Sequence, residues 1–198
     1  MNGTAAKRFP PGSLVIGLLV ASGVLWAVLF FVTLPHLRDL AGGEAPFDLR
    51  WSGYSYEEAR AFLAAIGGQG RAYYLNPELV LDAVFPPLYA VSRALALWWL
   101  TMPGRLHDGA MPLGWRRALI ALPVAELIFD CGENACIAGM IWTWPELSPS
   151  LVAVASLATR LKLGAAALTE VSLVALAAAA LLRWRKLSVA GQRISASR

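Results

Sequence analysis

The sequence predicts an all-α membrane protein: a four-helix transmembrane bundle with a short external amphipathic helix in its first loop. Three observations predict it. Of the 198 residues, 58% are hydrophobic and only 15% are charged, more apolar side chain than a soluble domain of this size encloses in one core. Four apolar runs, at about 14–34, 79–100, 118–142 and 151–182, each reach the ~20 residues that cross hydrocarbon as a helix. Basic residues gather on alternate sides of those runs, as they do in inserted membrane proteins.

The first run follows Lys7 and Arg8, as a secretory signal would. It continues past the length of such a signal and ends at "FFVTLPHLRDL" without a small-residue cleavage site, so it reads as a retained span. The loop 35–78 is expected to be ordered. In "SYEEARAFLAAIGG", Ser55 and Glu58 form a capping box, Ala59, Phe62, Leu63 and Ile66 share one face, and Gly67-Gly68 mark a stop. Such a helix, about Tyr56 to Ile66, lies on the outer interface or on the bundle top, where it is also placed to act as a lid over a pocket between the spans. Asn76–Glu78 then supply an N-cap, a first-turn proline and an acid, so the second span starts there.

The second span contains "LDAVFPPLYA". Pro86 and Pro87 lack backbone donors, so the carbonyls of Asp82 and Ala83 lose their helical partners and a kink is expected from Asp82. A bend is the plain role of such prolines. Freed carbonyls beside a carboxylate also suit a cation, a hydroxyl or an ammonium, and Tyr89 adds a phenol to the same face. The third span carries "AELIFDCGENACIAGM". Glu126, Asp130 and Glu133 fall at i, i+4 and i+7, a single stripe that must face protein or water. In the fourth span Thr159, Lys162 and Thr169 share a face, while Arg160 points elsewhere and can snorkel. Its "VALAAAALL" stretch lets helices approach closely. With no internal repeat or linker, residues 1–198 read as one domain.

Helical rise and alternating span directions set the depths. Asp82, Glu133 and Lys162 fall in the outer half, with Asp130 just inside them, and this group holds more carboxylates than cations. Arg93, Glu126 and Glu170 form a deeper group, expected as a buried ion pair that fixes helix register. Pairing within the bundle is the default role of intramembrane charge. The outer surplus instead leaves room for a proton or a ligand. The candidate ligand-binding residues are therefore Asp82, Tyr89, Asp130, Glu133, Asn134 and Lys162, and no catalytic residue is assigned.

Lys7, Arg8, Arg105, Arg116, Arg117, Arg183, Arg185, Lys186, Arg193 and Arg198 lie on one side of the membrane against one acid, Asp108. On the other side, loops 35–78 and 143–150, acids outnumber bases. Both termini are thus expected in the cytoplasm of a cell whose inner (plasma) membrane holds the chain. The net charge of +4 follows from this topology and does not imply nucleic-acid binding. Trp26, Trp98, Trp99, Trp142, Trp144 and Trp184 mostly lie near span ends, as interfacial anchors do. Cys131 and Cys136 lie on different faces of one helix, so they read as small core residues and not as a thiol couple. His36 and His107 fall on opposite sides. No metal or other cofactor is expected, and neither a P-loop, a dinucleotide fingerprint nor G-x-S-x-G occurs.

The stretches "PFDLRWSGYSYEEARAFLAAIGGQGRAYYL", "LDAVFPPLY" and "FDCGEN" together resemble a family of small uncharacterised bacterial four-span integral membrane proteins, which has a Gly-Tyr-Ser-type loop, a D-x-x-F-P-x-x-Y helix and a D-x-x-E-N helix. The resemblance covers about Pro46 to Asn134, with Lys162 as a further match. It implies the four-span fold and the same polar residues, and no activity. Three functions stay open. The outer pocket binds a lipid, another amphiphile or a cation; or its carboxylates move protons in a lipid- or sterol-like substrate, an arrangement similar in architecture alone to the emopamil-binding isomerases; or the charged stripe completes a larger complex with a membrane protein partner.

Overall fold

In a computed structural model, residues 11–106, 109 and 111–196 are described, with the side chains of 191 and 193–196 left aside. Lys7, Arg8, His107, Asp108 and Arg198 lie outside the described residues. Every regular element among those described is helical: α1 (Gly12–Leu40), α2 (Tyr56–Ala65), α3 (Gly67–Tyr73), α4 (Leu79–Leu100), α5 (Leu113–Trp142) and α6 (Pro149–Ala196), with a 3₁₀ turn at Phe47–Leu49. Three stretches, Gly12–Leu40, Gly67–Leu100 and Pro149–Ala190, are long and apolar enough to cross a membrane. α5 is also long, but its three carboxylates make it more polar.

α4 matches the expected second span, whereas α1 and α6 run well beyond the expected limits. α1 continues through a π-helical turn at Leu29–Thr33, where Thr33 Oγ1 donates 3.0 Å to the Leu29 carbonyl. α5 lies between α4 and α6, and α1 packs on α4. α1 and α6 have no comparable packing between them, so the bundle is open along that side. The carboxylate stripe of α5 turns inward, with Glu126, Asp130 and Glu133 all buried, while Val124 and Ile128 face outward.

The largest apolar core sits at the end of the bundle that carries the 35–78 loop. Phe62, Leu63 and Ala59 of α2 are fully buried against Leu37, Phe47, Tyr74, Ile137 and Met140. Burying side chains of this size contributes roughly 1.5–3 kcal/mol each, enough to seat the loop firmly on the bundle. The capping box forms as the sequence predicts: Ser55 Oγ accepts from Glu58 N at 3.2 Å, and Glu58 Oε2 accepts from Ser55 N at 2.6 Å. Those two bonds hold the Glu58 carboxyl below its ordinary value. Gly67, at φ +62°, ends α2 as the sequence predicts, and the chain re-enters a separate short helix at once, so the stop is also a corner. Arg71 of α3 reaches back to donate 2.6 Å to the Leu63 carbonyl, an orphan acceptor at the end of α2.

The loop between α1 and α2 docks on α6 through "SGY". Tyr54 N donates 2.8 Å to Ser156 Oγ. Gly53 sits at φ +79°, and a Cβ there would lie 2.5 Å from that Oγ, so no other residue allows the approach. Asn76 is extended, at φ −157° and ψ 115°, where the chain turns into α4.

Two expectations need correction. Cys131 is exposed and only Cys136 is partly covered, because the stripe that buries Asp130 and Glu133 rotates Cys131 outward. Trp26 lines an internal cavity as well as facing outward, so it is not simply an interfacial anchor.

Candidate functional site

Lys162 is the centre of the outer group. Its Nζ lies 2.7 Å from Asp48 Oδ1, 3.1 Å from Asp130 Oδ1 and 2.5 Å from Glu133 Oε2. Asp48 and Asp130 accept hydrogen bonds from the ammonium, while Glu133 adds a close ion pair whose Oε2 accepts no hydrogen bond; carboxylates gathered around a buried cation in this way offset its desolvation. Glu133, fully buried, also accepts 2.5 Å from Thr159 Oγ1, whose hydroxyl is shared with the Ala155 carbonyl of its own helix. α5 thus supplies two acids one turn apart, and α6 a lysine and threonine three residues apart, which is why two facing helical stripes suffice to build most of the cluster.

Asp48 is the member that sequence reasoning missed. It comes from the 3₁₀ turn of the loop between α1 and α2, 114 residues from Lys162. Its Oδ2 also accepts 2.7 Å from the Tyr74 hydroxyl. Burial pushes the Asp48 carboxyl up, but the Lys162 ammonium and the bonds from Lys162 and Tyr74 outweigh it and hold the carboxyl below its ordinary value. The one available signal was local: an acid between Phe47 and Leu49, two apolar residues with no reason to sit in a solvated loop.

Asp82 lies beside this cluster. One carboxylate oxygen from each of Asp48, Asp82 and Asp130 falls within 4.8 Å of the others. An all-oxygen set of this kind matches a hard cation such as Ca²⁺ or Mg²⁺. Lys162 already bonds Asp48 and Asp130, so such an ion would have to share those oxygens with the ammonium. The Asp82 carbonyl, which Pro86 cannot satisfy, accepts from Asn134 Nδ2 at 3.5 Å, the outer limit of a hydrogen bond.

The deeper group divides. Arg93 Nε pairs with Glu170 Oε1 at 2.9 Å, its guanidinium lies 4.5 Å over the Tyr89 ring, and it donates to Ser22 and Ser92 where α1 meets α4. Glu126 takes no part. It is 4% exposed, forms no ion pair among the described residues, and its Oε2 has no hydrogen-bond partner. It stays outside the ion pair of the expected group because Glu170 of α6 occupies the guanidinium.

Both groups open on one cavity of about 490 Å³. Asp48, Asp82, Asp130, Lys162 and Glu126 line its polar side, with Glu78 above and Arg93 and Glu170 below. Trp26, Phe30 and Phe85 line the other, and Trp26 and Phe30 stack at 4.9 Å. The volume is that of a small-molecule site. The cavity reaches the open side of the bundle, where Trp26 is 45% and Phe30 38% exposed. Of the sequence-predicted residues, Asp82, Tyr89, Asp130 and Lys162 line it, while Glu133 and Asn134 stand behind that wall and hold the others. The roof is the turn carrying Asp48, Leu49 and Trp51; residues 56–66 do not line the cavity, so α2 anchors the roof and is not itself the lid.

No protein-family model matches this sequence, and no curated protein or solved structure matches it either. Fold and site define the class directly: a helical protein with three stretches able to cross a membrane and a buried acidic cluster around Asp48, Asp82 and Asp130.

Proposed function

We propose that this chain is a four-span protein of the cell's inner (plasma) membrane, with both termini cytoplasmic, whose cavity takes an amphiphile from the outer leaflet. The fourth span is α5. Its acids turn inward and its outward face is apolar, so what meets lipid is hydrocarbon despite the helix's composition. The basic excess on the side of the termini supports the orientation, and the motif resemblance to small bacterial four-span proteins agrees with it. One observation carries the binding reading: a single cavity with carboxylates along one side and stacked aromatics along the other, reaching the gap between α1 and α6. An amphiphile entering sideways meets both surfaces in the order its own polarity requires.

Native mass spectrometry from mild detergent tests this reading. The purified protein should carry an adduct of defined small-molecule mass, which an Ala166→Trp variant loses because Ala166 lines the cavity and the indole fills it. A bare protein under conditions that preserve lipid adducts on other membrane proteins would defeat the proposal.

A further inference from the structure

The amphiphile reading leaves the head group open, and the uneven pairing of charge inside the cavity selects one. Both cations that line it are already engaged, Lys162 by Asp48, Asp130 and Glu133, and Arg93 by Glu170. A phosphate or carboxylate head would meet only occupied cations and a wall of acids. Three lining acids, Glu78, Asp82 and Glu126, form no ion pair among the described residues. Glu78 and Glu126 are 2% and 4% exposed, and the Oε2 of each lacks any hydrogen-bond partner. Leaving a buried acceptor unmade is costly, more so when it is charged. Asp82 lies one helical turn from Glu78 and beside Asp130, itself one turn from Glu126, so the three acids without a cation follow one edge of the cavity.

Resting on the amphiphile reading, we infer that the ligand is an amphipathic amine, its ammonium held by Asp82 and Glu126 with Glu78 one helical turn from Asp82, and its apolar body lying along Trp26, Phe30 and Phe85. An ammonium brings three donors and a positive charge to a site that has acceptors and lacks both. Trp26 and Phe30 add aromatic faces at the point of entry, a surface that attracts cations as well as hydrocarbon. Lys162 is the site's internal counter-ion: it fixes Asp48, Asp130 and Glu133 in place and leaves the remaining acids to the ligand. A bare divalent ion fits less well, since it asks for six or more oxygens and uses none of the apolar wall.

The test is thermal stability and binding of the full chain in nanodiscs of zwitterionic phospholipid, with four probes of equal chain length: dodecylamine, dodecyltrimethylammonium, dodecanol and dodecanoate, all below micellar concentration. Calcium and magnesium chloride are run alongside. Dodecylamine should raise the midpoint and bind at least about tenfold more tightly than dodecanol, with dodecanoate inert. Asp82→Asn and Glu126→Gln should each bring the amine's affinity down to that of the alcohol. Both variants remove an uncompensated buried acid, so the ligand-free midpoint should hold or rise, and either one alone suffices if the other fails to fold. Equal binding of amine, alcohol and carboxylate would overturn the ammonium inference and leave the amphiphile pocket standing. No binding of any of the four would remove the pocket reading as well. Stabilisation by a divalent ion, with none by the amine, would reassign the acids to a metal.

Discussion

The two charged groups of the bundle are built on opposite rules. The inner one is balanced: Arg93 faces one acid, Glu170, and its remaining donors meet Ser22 and Ser92 and the Tyr89 ring. Glu170 is 43% exposed at its side chain, so the pair lies where the bundle is open. The outer one is unbalanced: a single ammonium, 9% exposed at its side chain, holds three acids, and Asp82 stands beside them with no cation of its own. A balanced, half-exposed pair fixes how helices sit and contributes little energy. An unbalanced buried cluster is poised, since each added or removed charge changes the energy of all the others. The difference teaches where in this molecule to expect ligand chemistry and where to expect only register.

The comparison breaks most sharply at Lys162. Lys162→Met leaves Asp48, Asp130 and Glu133 without a counter-charge and should destabilise the protein by about 3–5 kcal/mol, read as a fall in the unfolding midpoint in detergent. Adding Asp130→Asn should return part of that loss; if the two effects simply add, the groups are not coupled and the cluster does not act as one unit.

Next comes the loop that delivers Asp48. Gly53→Ala places a Cβ at φ +79° and against Ser156 Oγ, a change expected to cost about 2 kcal/mol through strain and lost docking. Hydrogen exchange should then rise across 45–55 and leave α1 and α4 around Arg93 untouched. Equal exchange at both ends would deny that the outer cluster depends on the loop.

Acid separates the regions as well. Asp48 is held below its ordinary value of 3.8, so its ionised form stabilises the fold above that value, and the contribution is lost as pH falls through the lower folded-state value. Loop exchange should therefore stay low from neutrality down to about pH 4 and increase only below it. A loop already open at pH 6 would show that Asp48 is not held by Lys162. Ser55→Ala, which removes one half of the capping box, should cost about 1 kcal/mol, seen as faster exchange in the first turn of α2.

The smallest effect belongs to the balanced pair. Glu170→Gln should change stability by no more than about 1 kcal/mol, because the partner is partly exposed. A loss as large as that of Lys162→Met would erase the distinction between the two groups.

Much of the fold was legible because the signals were local. Hydropathy located four long helices, and α4 begins and ends where the apolar run does. The Ser55–Glu58 box was readable because its atoms are three residues apart, and the stripe of Glu126, Asp130 and Glu133 because helical periodicity sets which side chains share a face. Ends were less legible. α6 carries on to Ala196, beyond its apolar part, because nothing in "RWRKLSVAGQRISA" breaks a helix, and α3 was hidden by glycines that read as a stop.

What the sequence determined by itself is therefore the inventory: an all-helical apolar chain, too few cations for the acids inside it, and the faces on which those acids stand. Tertiary structure alone decided the partners. It brought Asp48 from the loop between α1 and α2 to Lys162, gave Arg93 to Glu170 and left Glu126 without an ion pair among the described residues, and turned Trp26 into a cavity wall. Periodicity specifies the angle of a residue about its own helix axis. The distance between two helices depends on how every side chain between them packs, and whether a buried charge is paired or free depends on that distance.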